Sequence, residues 1–303
     1  MLIVFNQMVS LFLLMLTGYL ANRSGVIDKT FESKVSRFIV NISLPATILN
    51  AVTGSDMAHD QEMLPIFVAA VSIFLVAHVI CHFIQKTIRW NPTYELMLNY
   101  SNLGFMGIPI ILALYPEQGG IYIAVFTVID QLVLWTIGLD LTSPPDSQTS
   151  VSLSKRLIKM VNPATIAITT GVFLVLTGIK LPAAVVNALA KTGSAASPLA
   201  MIYLGGVFCY IKIRNYLKCR EIYATVLIKM VLLPIAFYTI MHYIPSIDRS
   251  IAVTLSVLCA LPSMASIAMI AETQHSDGDY AAGMIFITTL FSIVTLPLVC
   301  LSL

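Results

Sequence analysis

Of the 303 residues, 58% are hydrophobic and only 11% are charged, with a formal net charge of +2. A soluble globular chain carries roughly a quarter charged residues and needs a polar coat over its core, so the composition excludes a water-soluble domain. Lipid is the solvent that fits, and the apolar runs suit it, since a helix rising about 1.5 Å per residue needs roughly 20 residues to cross the hydrocarbon.

In chain order, apolar runs bounded by turn residues predict helices at about 2–22, 29–52, 63–85, 94–115 and 119–140, then 162–178, 182–210, 221–243, 247–271 and 280–302. The first run has no basic flank before it and no small-residue cleavage site, so it is expected to be a spanning helix and not a signal peptide. Residues 141–161, with Pro144, Pro145, Ser147, Gln148 and Thr149, form the one long polar connection. The expected fold is therefore an all-α integral membrane protein of ten transmembrane helices.

Lysines and arginines orient it. Arg23, Lys29, Lys34, Arg37, Lys86, Arg89, Lys155, Arg156, Lys159, Lys212, Arg214, Lys218 and Arg220 all follow odd-numbered spans, against Lys180 and Arg249 on the other side. This predicts a multi-pass protein of the cytoplasmic (inner) membrane, with the 141–161 linker inside and both termini outside. The five cysteines are scattered without Cys-x-x-Cys spacing and read as small apolar residues.

A shift of 153 residues lays Pro45 on Pro198, Pro92 on Pro245 and Pro109 on Pro262, and brings Glu95 onto Asp248. The coincidence predicts an internal repeat: 1–140 and 162–303 as five-helix units, joined by the 141–161 cytoplasmic linker. An odd number of spans per unit makes the second inverted. Pro45 and Pro198 are expected to break the second and seventh helices, because proline removes a backbone donor and clashes with the preceding turn. The fourth helix reads Asn99-Tyr-Ser101-Asn102-Leu-Gly104-Phe-Met-Gly107-Ile-Pro109, and the ninth answers with Ser256, Pro262, Ser263 and Ser266. Where two such broken helices cross, half-helix N-termini and unwound carbonyls near the midplane can hold a small anion without a dedicated arginine. Asn99, Ser101, Asn102, Pro109, Pro262, Ser263 and Ser266 are the candidate binding residues.

The stretch Asn102 to Pro109, followed by Leu114-Tyr115 and Gly119-Gly120, resembles the fourth helix of the auxin efflux carrier family. Leu261-Pro262 leading to Ala271-Glu272, then Thr288 to Pro297, is similar to that family's last two helices. Ile42-Ser43-Leu44-Pro45-Ala46 and Ser197-Pro198-Leu199-Ala200 resemble its bacterial branch. The resemblance covers the whole chain. It implies a scaffold of helices 1, 2, 6 and 7, homodimeric through those helices, and a mobile transport unit of helices 3–5 and 8–10. Bacterial relatives are associated with carboxylates such as malate and malonate; the short linker departs from the long loop of the plant carriers.

Two ionisable residues fall inside spans. Asp130, mid-way along the fifth helix, must face the bundle or a cavity, since a charge at that depth costs about 2.5–3.5 kcal/mol on insertion scales; it is the candidate for proton coupling. Lys229, ahead of Pro234, is similar to a basic residue recurring in the family and is expected to attract an anion or pair with Asp130. Lys191 reads as interfacial. His78 and His82, spaced i, i+4, lack an evident third ligand for a metal. The run Gly193-Ser194-Ala195-Ala196-Ser197 suits close helix packing.

No phosphate-cradling loop, acid/base cluster or His/Glu metal motif is present, which argues against an ATP-driven pump and against a membrane enzyme. The expected function is a secondary transporter of a small organic anion, a carboxylate, working by alternating access. No cofactor, metal or nucleic-acid partner is expected, and H+ and Na+ are the candidate coupling ions. The rival readings are a cation–proton antiporter or sodium-coupled symporter of similar architecture, and a membrane sensor.

Overall fold

The computed structural model describes residues 2–54, 63–88, 93–116, 118–134, 161–211, 216–245, 247–268 and 278–303. The expected linker, apart from Val161, and the expected ends of the fifth and ninth helices lie outside them. The described elements are helices: α1 (Leu2–Arg23), α2 (Lys29–Gly54), α3 (Met63–Ile88), α4a (Thr93–Asn99), α4b (Leu103–Leu114) and α5 (Gly119–Val133). After the linker come α6 (Pro163–Thr177), α7a (Ala183–Ser194), α7b (Ala196–Val207), α8 (Arg220–His242), α9 (Arg249–Ala260) and α10 (Gly278–Ser302). Stretches of α1, α2, α3, α8 and α10 are long and apolar enough to cross a membrane, and α4b, α5, α6 and α9 are shorter apolar helices.

Local chemistry sets several ends. Asp28 accepts from the Phe31 N–H at the start of α2, and Asp248 from the Ser250 N–H at the start of α9. Asn162 and Thr165 close a capping box on α6, which ends at Gly178 with φ 69°, a left-handed cap that glycine adopts without strain.

Polarity is inverted relative to a soluble protein. Leu13, Leu16 and Leu20 on α1, Leu75, Val79 and Phe83 on α3, and Leu290, Val294, Leu298 and Leu301 on α10 are exposed apolar residues at helical spacing. Asn99, Asn102, Thr127, Asp130, Lys229 and Ser256 are buried instead. Lipid requires this arrangement: apolar side chains outward, backbone and polar groups satisfied within.

The helix α1 packs along α7b, and α2 packs against α6 and α7a. Small residues permit the first contact: a Cβ on Gly18 would strike the Ile202 carbonyl, and one on Gly205 the Met15 carbonyl. Elsewhere α8 packs on α9, and α3 on α5.

Three prolines are accommodated by π turns. Ile39–Ser43 in α2, Leu103–Gly107 in α4b and Ile228–Leu232 in α8 are π segments. Pro45, Pro109 and Pro234 each fall at the second residue of the α-helical stretch that follows. A proline strands the carbonyl four residues back, and an i→i+5 turn gives the backbone a different pairing just there. The break expected at Pro45 is thus a π turn within a continuous helix. In α7 the chain turns at Ala195, and Pro198 follows as the third residue of α7b.

Candidate functional site

The fourth and ninth helices both come apart, and their unwound segments pair. Ser101 and Ser263 form an isolated antiparallel bridge, in which the Asn102 N–H donates to the Pro262 carbonyl at 2.9 Å and the Met264 N–H to the Tyr100 carbonyl at 3.0 Å. The side chains repeat the exchange. Ser263 Oγ donates to the Met97 carbonyl at 2.8 Å, and Ser101 Oγ to the Cys259 carbonyl at 3.4 Å. Each serine thus reaches the residue four positions before its opposite number, a local two-fold reciprocity with an offset of 162 residues (263 less 101). At the crossing, Pro262 therefore faces Asn102, while Pro109 stands further along in α4b. The 153-residue register that matches the prolines does not describe this contact.

Neighbouring helices brace the pair. Thr288 on α10 accepts from the Ser263 N–H at 3.3 Å and donates to the Met284 carbonyl at 2.8 Å. Ser197 on α7b donates to the Phe105 carbonyl at 2.6 Å, which is the carbonyl that Pro109, four residues on, deprives of its helical donor. Sequence reasoning placed Ser197 among packing residues and did not single out Thr288. The local signal for Ser197 was the Ser-Pro dipeptide at a helix turn.

Around this braced core sit polar atoms with no partner among the described residues. Asn99 and Asn102 are 8% and 1% exposed, yet the amide oxygens and nitrogens of both make no hydrogen bond. Asn102 occupies the N-cap of α4b, where an asparagine ordinarily accepts from the first helical N–H groups, but its side chain makes no cap bond. The hydroxyls of Tyr100, Thr127, Thr254, Ser256 and Thr289 are likewise buried and unpaired. Most buried polar groups in native proteins are satisfied, so such a concentration marks a place where something else supplies the bonds. Sequence reasoning missed Thr127, although it stands one turn before Asp130 on the same face of α5. Ser266 is buried.

Both intramembrane charges face inward. Asp130 is fully buried; its Oδ2 accepts from Gln131 Nε2 at 2.9 Å and its Oδ1 is unpaired. Its helix α5 packs against the π segment of α4b and against α9. The Lys229 ammonium, 2% exposed, donates to the Met97 carbonyl at 3.1 Å and the Tyr100 carbonyl at 2.6 Å. It forms no ion pair with Asp130, although the two lie within electrostatic reach of each other. Lys191 is exposed at the end of α7a. His78 Nε2 and His82 Nδ1 lie 3.9 and 3.4 Å from Glu95 Oε1, in ion-pair geometry. A separate apolar cleft of about 420 Å³ opens between α3 and α8, lined by Val68, Ser72, Phe237 and Ile240 among others. The Ser72 hydroxyl already donates to Val68, so the cleft offers an anion nothing.

A sequence profile for a family described as membrane transport protein matches residues 3–300. The chain belongs to this family, that of the auxin efflux carriers. Within the membrane transport protein family it is similar to an uncharacterized transporter of Methanothermobacter thermautotrophicus, with 22% identity over 97% of this chain and 96% of the relative. An uncharacterized transporter of Methanocaldococcus jannaschii is 24% identical, with 94% of each chain covered. The uncharacterized transporter YfdV of Escherichia coli K12 is 22% identical over 76% of each. The resemblance read from the residues is thereby shown, and the protein is a multi-pass membrane transporter and not an enzyme.

Proposed function

We propose that this transporter is a secondary carrier moving a small organic anion, a carboxylate, by alternating access around the α4/α9 crossing. The observation that carries the reading is Asn102: a buried side chain at the first turn of α4b, with every amide atom unpaired. The N-terminus of a helix attracts negative charge and presents free N–H groups. Asn99 adds two donors, and the Lys229 ammonium adds a positive field from behind. Together these suit a carboxylate without an arginine clamp. Asp130, with its unpaired Oδ1 beside the site, is the proposed proton-coupling group. The same acid favours a second reading, a cation–proton antiporter of similar architecture.

The wider reading has ten crossings in two inverted five-helix units. The helices α1, α2, α6 and α7 form a scaffold that dimerises, while α3–α5 and α8–α10 move. The reciprocal bonds at Ser101 and Ser263 and the mutual packing of α1 with α7b and of α2 with α6 and α7a support it. The proposed location is the cytoplasmic membrane with both termini outside. A single cysteine replacing Asp56 should react with an impermeant reagent on intact cells and one replacing Ser147 should not; labelling of the latter would overturn the topology. For function, proteoliposomes loaded with a panel of mono- and dicarboxylates should show saturable counterflow. Cation uptake coupled to proton release, without anion exchange, would instead establish the antiporter.

A further inference from the structure

The local reciprocity at the crossing fails in one place. On the α9 side, among the described residues, the Cys259 carbonyl accepts only the distant Ser101 hydroxyl at 3.4 Å, and Pro262 only the Asn102 N–H. On the α4a side, the matching carbonyls of Met97 and Tyr100 accept the equivalent bonds from Ser263 and Met264, and each accepts a further bond from Lys229. The extra donor comes from outside both crossing helices. It stems from the π segment Ile228–Leu232 of α8, a type of turn that is rare and appears frequently at functional sites.

The chemistry of the place is that of a cation site. The last carbonyls of a half-helix carry the negative end of its dipole, and unwound carbonyls of this kind coordinate alkali ions in transporters with broken helices. Here a primary ammonium lies 2.6 and 3.1 Å from two of them. Asp130 and the Cys81 and Cys259 thiols lie within electrostatic reach of it, and no carboxylate pairs with it among the described residues. The geometry points to Lys229 as a built-in cation: its ammonium fills the carbonyl nest at the end of α4a, closes that nest to sodium, and lets the carrier work without a sodium ion. This deepens the proposed carrier reading and rests on it, since a working crossing is what the cation would serve.

The test has two independent arms. Unfolding temperatures of the purified protein are measured in sodium, potassium, choline and ethylammonium chlorides at equal ionic strength. Wild type is expected to unfold at one temperature in all four. Lys229→Ala is expected to unfold lower in choline and to be raised by ethylammonium or sodium, which enter the nest that the side chain has left. A wild-type protein raised by sodium over choline overturns the inference, as does a Lys229→Ala protein indifferent to the cation. If the alanine variant does not fold, Lys229→Met keeps the methylene packing and takes the same measurement, and the wild-type comparison stands alone. In the second arm, carboxylate counterflow by wild type should run at equal rates with sodium or choline outside. Absence of any counterflow refutes the carrier reading while the unfolding arm still decides the cation.

Discussion

Replacing Asn102 by alanine separates a binding residue from a structural one by sign. A structural buried amide loses hydrogen bonds when removed, and stability falls. The Asn102 amide makes none among the described residues, so without substrate it bears the desolvation cost of an unsatisfied polar group, about 1–3 kcal/mol. Deleting it recovers that cost, less a cavity cost on the order of 1 kcal/mol for the three heavy atoms removed, at about 24 cal/mol per Å³. The expected change in stability therefore runs from about zero to mildly stabilising. Substrate binding moves the other way. A hydrogen bond to a charged group is worth about 1.5–3 kcal/mol, and at about 1.4 kcal/mol per tenfold its loss weakens the half-saturating substrate concentration by roughly tenfold to somewhat over a hundredfold. Thermal unfolding in detergent and counterflow in proteoliposomes read the two quantities on one preparation. A variant that transports like wild type, or one destabilised by more than about 2 kcal/mol, would refute the reasoning.

Asp130→Asn keeps an oxygen for Gln131 to bind and deletes the titratable proton; it is expected to retain substrate binding and flatten the pH profile of flux, and an unchanged profile makes the residue structural. Gly205→Leu drives a side chain into the Met15 carbonyl and should abolish the monodisperse protein in size-exclusion chromatography, whereas Gly120→Ala, with nothing near its Cβ position, should elute as wild type. The Asp248 carboxyl is held below the usual range by the Ser250 hydroxyl and N–H. Its cap on α9 is therefore present above the ordinary carboxylate pKa and lost as pH falls through the lowered value. Asp248→Ala should cost about 0.5–2 kcal/mol at neutral pH and progressively less in acid, read by thermal unfolding across pH.

The sequence revealed elements wherever lipid alone sets the pattern. The first helix was expected at about 2–22 and runs Leu2–Arg23; the eighth was expected at about 221–243 and runs Arg220–His242. In such helices an apolar run ends where the bilayer does, and charges or turn residues mark the place. The interior was less legible. Proline marks the expected breaks at Pro45 and Pro198, but α4 opens at Tyr100 to Asn102, well before Pro109, because Ser101 pairs there with Ser263 from the other half of the chain. No local signal encodes a contact across that distance. Lys229 was recognised as significant, yet its partners are main-chain carbonyls, which every residue carries and no side-chain pattern can announce. Asn99 and Asn102 stood out because asparagine is conspicuous in an apolar helix; the unpaired threonines did not, since a threonine can fold its hydroxyl back onto the preceding turn.

The three π segments also bear on how this chain may be lengthened or cut. Each carries one residue more than an α turn in the same space, so removing any one residue from Ile39–Ser43, Leu103–Gly107 or Ile228–Leu232 would return that stretch to ordinary winding. The rest of the helix then keeps its facing, whereas one residue removed from an α-helical stretch swings everything beyond the cut by about 100° about the helix axis, at 3.6 residues per turn. In α8 the window holds Lys229 itself. Single-residue gaps in these windows therefore join chains whose flanking helix faces still correspond, and an alignment that slides such a gap into a nearby loop would match residues that look at different sides of the helix.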